Sequence, residues 1–201
     1  LGPDDHFQLV AADVATAWAS AEPMTASGDN IAAATKFLSD RVSLGWTNLD
    51  RAFEDAINKA PANAHIMYIG DGIVSAGDTD PAAFVKRLQQ LARGGRQPSG
   101  NASTNLNRNQ GVDTPRSPGN FTLHAVTVGN ANDSVVMRGI ATVGGGSARS
   151  ISGGQTPQTA ALELLNEIAQ PGLRDLNVEF RGLKVAAVYP EQLPNIAAGT
   201  Q

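Results

Sequence analysis

Asp71 and Thr47 are the residues whose types and settings could do chemistry in this chain. Asp71 stands in Gly70-Asp71-Gly72, directly after the nearly unbroken apolar run Ala64-His-Ile-Met-Tyr-Ile69. Thr47 stands upstream in Leu44-Gly-Trp-Thr-Asn-Leu49. A carboxylate and a neutral hydroxyl are hard oxygen donors, a pairing that suits Mg²⁺, Mn²⁺ or Ca²⁺ and not a soft metal. A divalent ion held by few charged protein ligands stays electrophilic and accepts a carboxylate from a partner. Each residue alone has an ordinary explanation, threonine as a helix cap and Asp-Gly as a turn. Their order and their setting give them weight together.

The elements around them must bring the two to one place. A strand apolar on both faces reads as a central strand of a parallel sheet covered by helices. Ligands of such sheets sit beyond the carboxyl ends of the strands. His65–Ile69 is therefore expected to be buried and central, with Asp71 at its carboxyl edge. Thr47 or Asn48 caps a helix on which Leu49, Ala52, Phe53, Ala56 and Ile57 share a face, and Pro61 closes it. That helix start carries Thr47 to the same edge.

Strands are also expected over Phe7–Ala12, Val14–Trp18, Phe121–Val128 and Ala148–Ile151, the last at an edge. Helices are expected over Ile31–Leu38, from Asp80-Pro81 with Phe84, Val85, Leu88 and Leu91 inward, and from Asp133 to Ile140. Gly144-Gly-Gly reads as a turn. Thr156-Pro157 starts a last helix with Ala161, Leu162, Leu165, Ile168 and Ala169 inward, stopped by Pro171-Gly172. Residues 94–120 are polar and rich in Gly, Ser, Asn and Pro, and read as disorder or an insertion. Leu176–Phe180 and Leu183–Val188 read as a β-hairpin belonging to a small β unit. Strands alternating with helices through residue 170 predict a doubly wound α/β fold with a mostly parallel sheet. Residues 1–170 form that domain, and 171–201 its β extension.

Composition narrows the functions. The 201 residues carry a net charge of −4 and no cysteine. Nucleic acid is disfavoured, because backbone binding needs a basic patch. Disulfides, thiolate metal sites and cysteine nucleophiles are excluded. No run is long and apolar enough to span a membrane. His6, His65 and His124 lack ligand spacing. There is no phosphate loop and no Gly-x-Ser-x-Gly elbow, so a nucleotide-binding enzyme is the least supported reading.

Several stretches together resemble the von Willebrand factor A domain. They are Pro3-Asp-Asp-His-Phe-Gln-Leu-Val-Ala, Gly45-Trp-Thr-Asn-Leu, Tyr68-Ile-Gly-Asp-Gly and Val143-Gly-Gly-Gly-Ser. Two more, Pro171-Gly-Leu-Arg-Asp-Leu and Val188-Tyr-Pro-Glu-Gln-Leu-Pro-Asn-Ile-Ala-Ala-Gly, resemble the branch that pairs such a domain with an inter-alpha-trypsin-inhibitor (VIT) domain. The resemblance implies a metal-ion-dependent adhesion site (MIDAS) on three loops, with Thr47 as second-loop ligand and Asp71 as third-loop ligand. Trp46 stands where the family has glycine, and Gly70 where it has Ser or Thr. The first-loop motif Asp-x-Ser-x-Ser occurs nowhere in the chain. The strand it follows in the family would lie upstream, so the domain is expected to lack a central strand, supplied by a missing upstream segment or another chain.

The resemblance implies a protein-interaction or adhesion module rather than an enzyme. It would bind a partner, through an acidic residue, at the carboxyl edge of the sheet. Trp46, Asn48 and Gly72 are expected on the partner surface. Mg²⁺, or Mn²⁺ or Ca²⁺, would take part if the upstream motif is present. The alternative is a structural component of a larger complex with a degenerate metal site. By the family's habit the location would be extracellular or periplasmic.

Overall fold

A computed structural model of the chain describes residues 1–42, 45–94, 121–129, 131–151, 154–169, 172–173 and 196–197. Residues 95–120 of the expected polar loop, and the hairpin expected over Leu176–Val188, lie outside the described residues.

The amino-terminal strand expected over Phe7–Ala12 is divided. β1 (His6–Phe7) pairs antiparallel with β4 (Met24–Thr25), whereas β2 (Val10–Ala12) forms a hairpin with β3 (Thr16–Trp18). Gln8 sits between them and donates its side-chain amide to the carbonyls of Ser20 and Ala21, each at 3.1 Å. α1 (Gly28–Ser39) starts three residues before the expected Ile31, because Ser27 caps it by accepting the Asn30 N–H at 3.3 Å. α2 (Leu49–Lys59) is capped by Asn48, not Thr47. The β2–β3 hairpin rides on α2: Thr16 donates its hydroxyl to Asp55, and the Lys59 ammonium lies 4.2 Å from the centre of the Trp18 ring.

β5 (Ala64–Ile69), β6 (Phe121–Val128) and β7 (Ala148–Ile151) form a parallel three-stranded sheet in that order. Between them run α3 (Pro81–Gly94) and α4 (Ser134–Gly144). Asp80 and Asp133 start these helices as expected, Asp80 accepting from Ala82 and Ala83, Asp133 from Val135 and Val136. α5 (Pro157–Ala169) follows, and β8 (Gly172–Leu173) pairs antiparallel with β9 (Ile196–Ala197).

The core lies on one face of the sheet. Leu123 and Ala125 of β6, with Ile66 and Tyr68 of β5 beside them, meet Phe53, Phe84, Leu88, Val136 and Ile140 of α2, α3 and α4. Phe53 sits 5.8 Å from the Tyr68 ring and 5.9 Å from Phe84, centre to centre, tilted in both contacts. Tilted pairs of this kind add to their area burial because the ring edges meet the π faces.

Three expectations are corrected. The central strand is β6, buried from Thr122 to Thr127; β5 pairs only with β6 among the described residues, and its Ile69 is 65% exposed. An apolar run alone does not show how many of a strand's edges are paired. The Gly144 run is not a simple turn: α4 continues through Gly144, and Gly145, at φ +64°, is its left-handed cap. On α5 the inward residues are Ala160 and Leu164, while Leu162 is 69% exposed. Apolar residues cover a wide arc of that helix, so spacing did not set its rotation.

Arg87 ties α3 to its neighbours. Its guanidinium donates to both carboxylate oxygens of Asp50, at 2.8 and 2.9 Å, and to Asp78 at 2.6 Å. The Asp80 N–H, assisted by Arg87, holds the Asp78 carboxyl below its ordinary range against some desolvation. A depressed carboxyl stabilises the fold above its unfolded pKa and loses that contribution as pH falls through the folded value. Asp78→Asn should therefore lower the thermal midpoint at about pH 7 and have a smaller effect at about pH 3. Melts of both chains at the two pH values check this.

Candidate functional site at the carboxyl edge of the sheet

β5 delivers Asp71 to the edge as expected. The Gly70 N–H still bonds the Val126 carbonyl at 3.0 Å, so the ladder runs one residue past the strand and then breaks. Asp71 makes the break: its Oδ1 accepts the Ile73 N–H at 2.9 Å. Gly72 takes φ +73°, and a Cβ there would lie 3.0 Å from Met137 Sδ and 3.3 Å from the Asp133 carbonyl. The left-handed conformation favours glycine here, and a side chain would also crowd Met137. The Asp71 carbonyl accepts the Asp133 N–H at 2.8 Å, which fixes the loop to the start of α4. Asp71 is exposed, and among the described residues its Oδ2 has no hydrogen-bond partner.

Thr47 reaches the same edge through the backbone. Its carbonyl accepts the N–H groups of Ser75 and Ala76, at 3.3 and 3.1 Å, and its own N–H donates to Ser75 Oγ at 2.7 Å. The Thr47 loop is thus joined to the loop that begins at Asp71. Thr47 is half-buried, and no hydrogen bond engages its hydroxyl among the described residues.

The expected partner residues divide by role. Trp46 is 64% exposed beside Thr47; Ile73, which the sequence did not mark for the partner surface, is 48% exposed two residues after Asp71. Asn48 accepts the Arg51 N–H on its side-chain oxygen at 3.1 Å, so its amide nitrogen is what it can offer a partner. Gly72 is buried and shapes the loop.

Two further residues of the site carry no signal of their role in the sequence. Tyr68 accepts the Gly72 N–H on its hydroxyl at 3.1 Å. Burial, and secondarily the Asp71 charge, hold its phenol above the ordinary value against the effect of that N–H, so it stays neutral. Asp133 caps α4 as its sequence position predicts, and its N–H also donates to the Asp71 carbonyl. Neither link leaves a local signal, because both depend on where the chain returns.

Asp71 and Thr47 together offer one carboxylate and one hydroxyl. Their hardness fits Mg²⁺ or Mn²⁺, which are commonly held by one or two carboxylates with water and ligand oxygens completing the shell. Among the described residues no group of three or more His, Cys, Asp or Glu is placed to hold a metal. Most of such a shell would therefore come from water and a partner. The histidines are used elsewhere: His65 Nδ1 and His124 Nε2 lie 3.1 Å apart at the far end of β5, with His124 Nδ1 accepting the Ser147 N–H at 3.3 Å. Among the described residues no helix is long and apolar enough to cross a membrane.

No protein-family model matches this sequence, and no curated protein matches it. Among solved structures the chain is similar to a von Willebrand factor type A protein from Catenulispora acidiphila, with a TM-score of 0.56 and 19% sequence identity. The match covers 85% of this chain and 34% of the other, so this chain spans about a third of that protein's length. At that identity the likeness is one of fold. The chain has a von Willebrand factor A-type α/β fold, and Asp71 and Thr47 lie at the carboxyl edge of its sheet.

Proposed function

We propose that this chain is a protein-interaction module, not an enzyme, and that it grips an acidic segment of its partner at the carboxyl edge of the sheet. The observation that carries the reading is the exposure of Trp46 and Ile73 on the two loops that bear Thr47 and Asp71. Tryptophan is among the residues most enriched at interface hot spots. The hydrogen bonds among Thr47, Ser75, Ala76, Asp71 and Asp133 hold the loops in place, so little ordering entropy opposes binding.

Thr47 and Asp71 would hold Mg²⁺ or Mn²⁺, which, when bound, supplies the positive charge an acidic partner seeks. Trp46 and Ile73 would cover the contact and exclude water, and the Asn48 amide would donate at its rim. The adhesion-site assignment and the inter-alpha-trypsin branch rest on the sequence stretches quoted above, as does an extracellular or periplasmic location. A preceding segment or another chain would add a strand beside β5 and bring further metal ligands. Among the described residues β5 pairs on one side only and its Ile69 is exposed, which favours the second reading, in which the chain is a building block of a larger assembly.

Displayed random peptides selected on the wild-type chain in Mn²⁺ test the first reading. Acidic peptides that are released by chelator and not held by Asp71→Ala are expected. Peptides held equally by the variant and in chelator would overturn it.

A further inference from the structure

Gly70 precedes Asp71, yet nothing in its backbone calls for glycine, since it lies outside the left-handed region that Gly45, Gly72, Gly77, Gly129 and Gly145 occupy. What excludes a side chain is Tyr68. Residues two apart in a strand point to the same face, and the Tyr68 ring folds over Gly70. A Cβ at position 70 would lie 2.4 Å from the Tyr68 hydroxyl oxygen and 2.7 Å from its Cζ, closer than any real contact. The same hydroxyl accepts the Gly72 N–H at 3.1 Å, and the ring is held from behind by Phe53.

We propose that Tyr68 is the positioning residue of the Asp71 loop, its phenol taking the space and the hydrogen-bonding part of a side chain at position 70. Gly70 is then glycine because Tyr68 reaches over it, and the two positions form one unit. The ring sets the loop from below: it fixes Gly72, whose left-handed turn aims Asp71 outward. As a role in partner binding the proposal rests on the interaction reading above, but the coupling of positions 68 and 70 does not.

The test is hydrogen exchange at the Gly72 amide, followed by NMR, with peptide binding measured on the same variants. Tyr68→Phe keeps the ring and removes the acceptor, so Gly72 should exchange roughly tenfold faster while core amides of β6 stay protected, as expected for one lost hydrogen bond. Gly70→Ser should do the same by displacing the ring. Tyr68→Leu combined with Gly70→Ser gives the serine room, and should restore Gly72 protection and melt above Gly70→Ser alone. Unchanged Gly72 exchange in Tyr68→Phe, or Gly70→Ser indistinguishable from wild type, overturns the coupling. Peptide affinity should fall in Tyr68→Phe; an unchanged affinity would overturn the role in binding and leave Tyr68 a core residue. If no peptide binds the wild type, the interaction reading and the role in binding fail together, while Gly72 exchange still decides the coupling.

Discussion

Gly144→Ala is expected to destabilise the fold by about 3 kcal/mol, the upper part of the usual range for overpacking. Alanine for glycine inside a helix ordinarily stabilises by about 0.5–1 kcal/mol, so the sign itself is diagnostic. A Cβ on Gly144 would lie 2.2 Å from Leu123 Cβ and 2.3 Å from the Leu123 backbone nitrogen. Leu123 is fully buried in the central strand, so the obstacle is backbone and cannot swing away. The helix cannot back off either: Gly145 is its left-handed cap, and Gly146 passes so close that a Cβ would meet the Leu123 carbonyl at 2.1 Å. The other end of α4 begins after Asp133, which holds the Asp71 carbonyl, so the strain reaches the site. Urea unfolding checks this, with Gly154→Ala as control, because a Cβ there meets nothing within 4 Å.

Asp71→Ala is expected to abolish stabilisation by divalent cations. An ion that binds only the native state raises its stability by mass action, about 2.7 kcal/mol at a hundred times the dissociation constant. For a chain of this size that is a rise in the midpoint of roughly 5–10 °C. Wild type in Mn²⁺ should melt higher than in chelator, and the variant should melt alike in both. The variant also loses the Asp71 Oδ1 bond to the Ile73 N–H, which lowers its midpoint equally in metal and chelator and does not blur the comparison. A rise of the same size in Asp71→Ala would place the cation elsewhere.

Much of the frame was legible because its signals are local. Asp80-Pro81 and Asp133 announce their helices by capping chemistry, and Leu49, Phe53 and Ile57 mark the inner face of α2 by spacing; all three are buried as expected. Asp71 could be placed at an edge because an apolar strand ended in Gly-Asp-Gly. What stayed hidden depends on returns of the chain. That β5 has one strand neighbour among the described residues is a matter of which strand comes to lie beside it, and apolar composition does not carry that. The bonds from Thr47 to Ser75 and Ala76, and from Asp133 to Asp71, join loops far apart in sequence. Gly70 stands out only as a departure from the family's Ser or Thr until the Tyr68 ring is seen above it. The glycines at 144–146 read as a turn because composition does not separate a flexible link from a helix pressed against a strand.

The central claim is that the Trp46–Asp71 edge binds an acidic partner. Its most direct measurement is a titration, in Mn²⁺, of an acidic peptide enriched on the wild-type chain, against wild type, Trp46→Ala and Asp71→Ala. Trp46 is 64% exposed and is not part of the buried core cluster among the described residues, so its truncation should change the midpoint little and weaken binding about tenfold or more, as hot-spot aromatics do. Asp71→Ala should weaken it at least as much, and chelator should match that loss in the wild type. Equal affinity for all three chains would contradict the account and move the binding surface away from this edge.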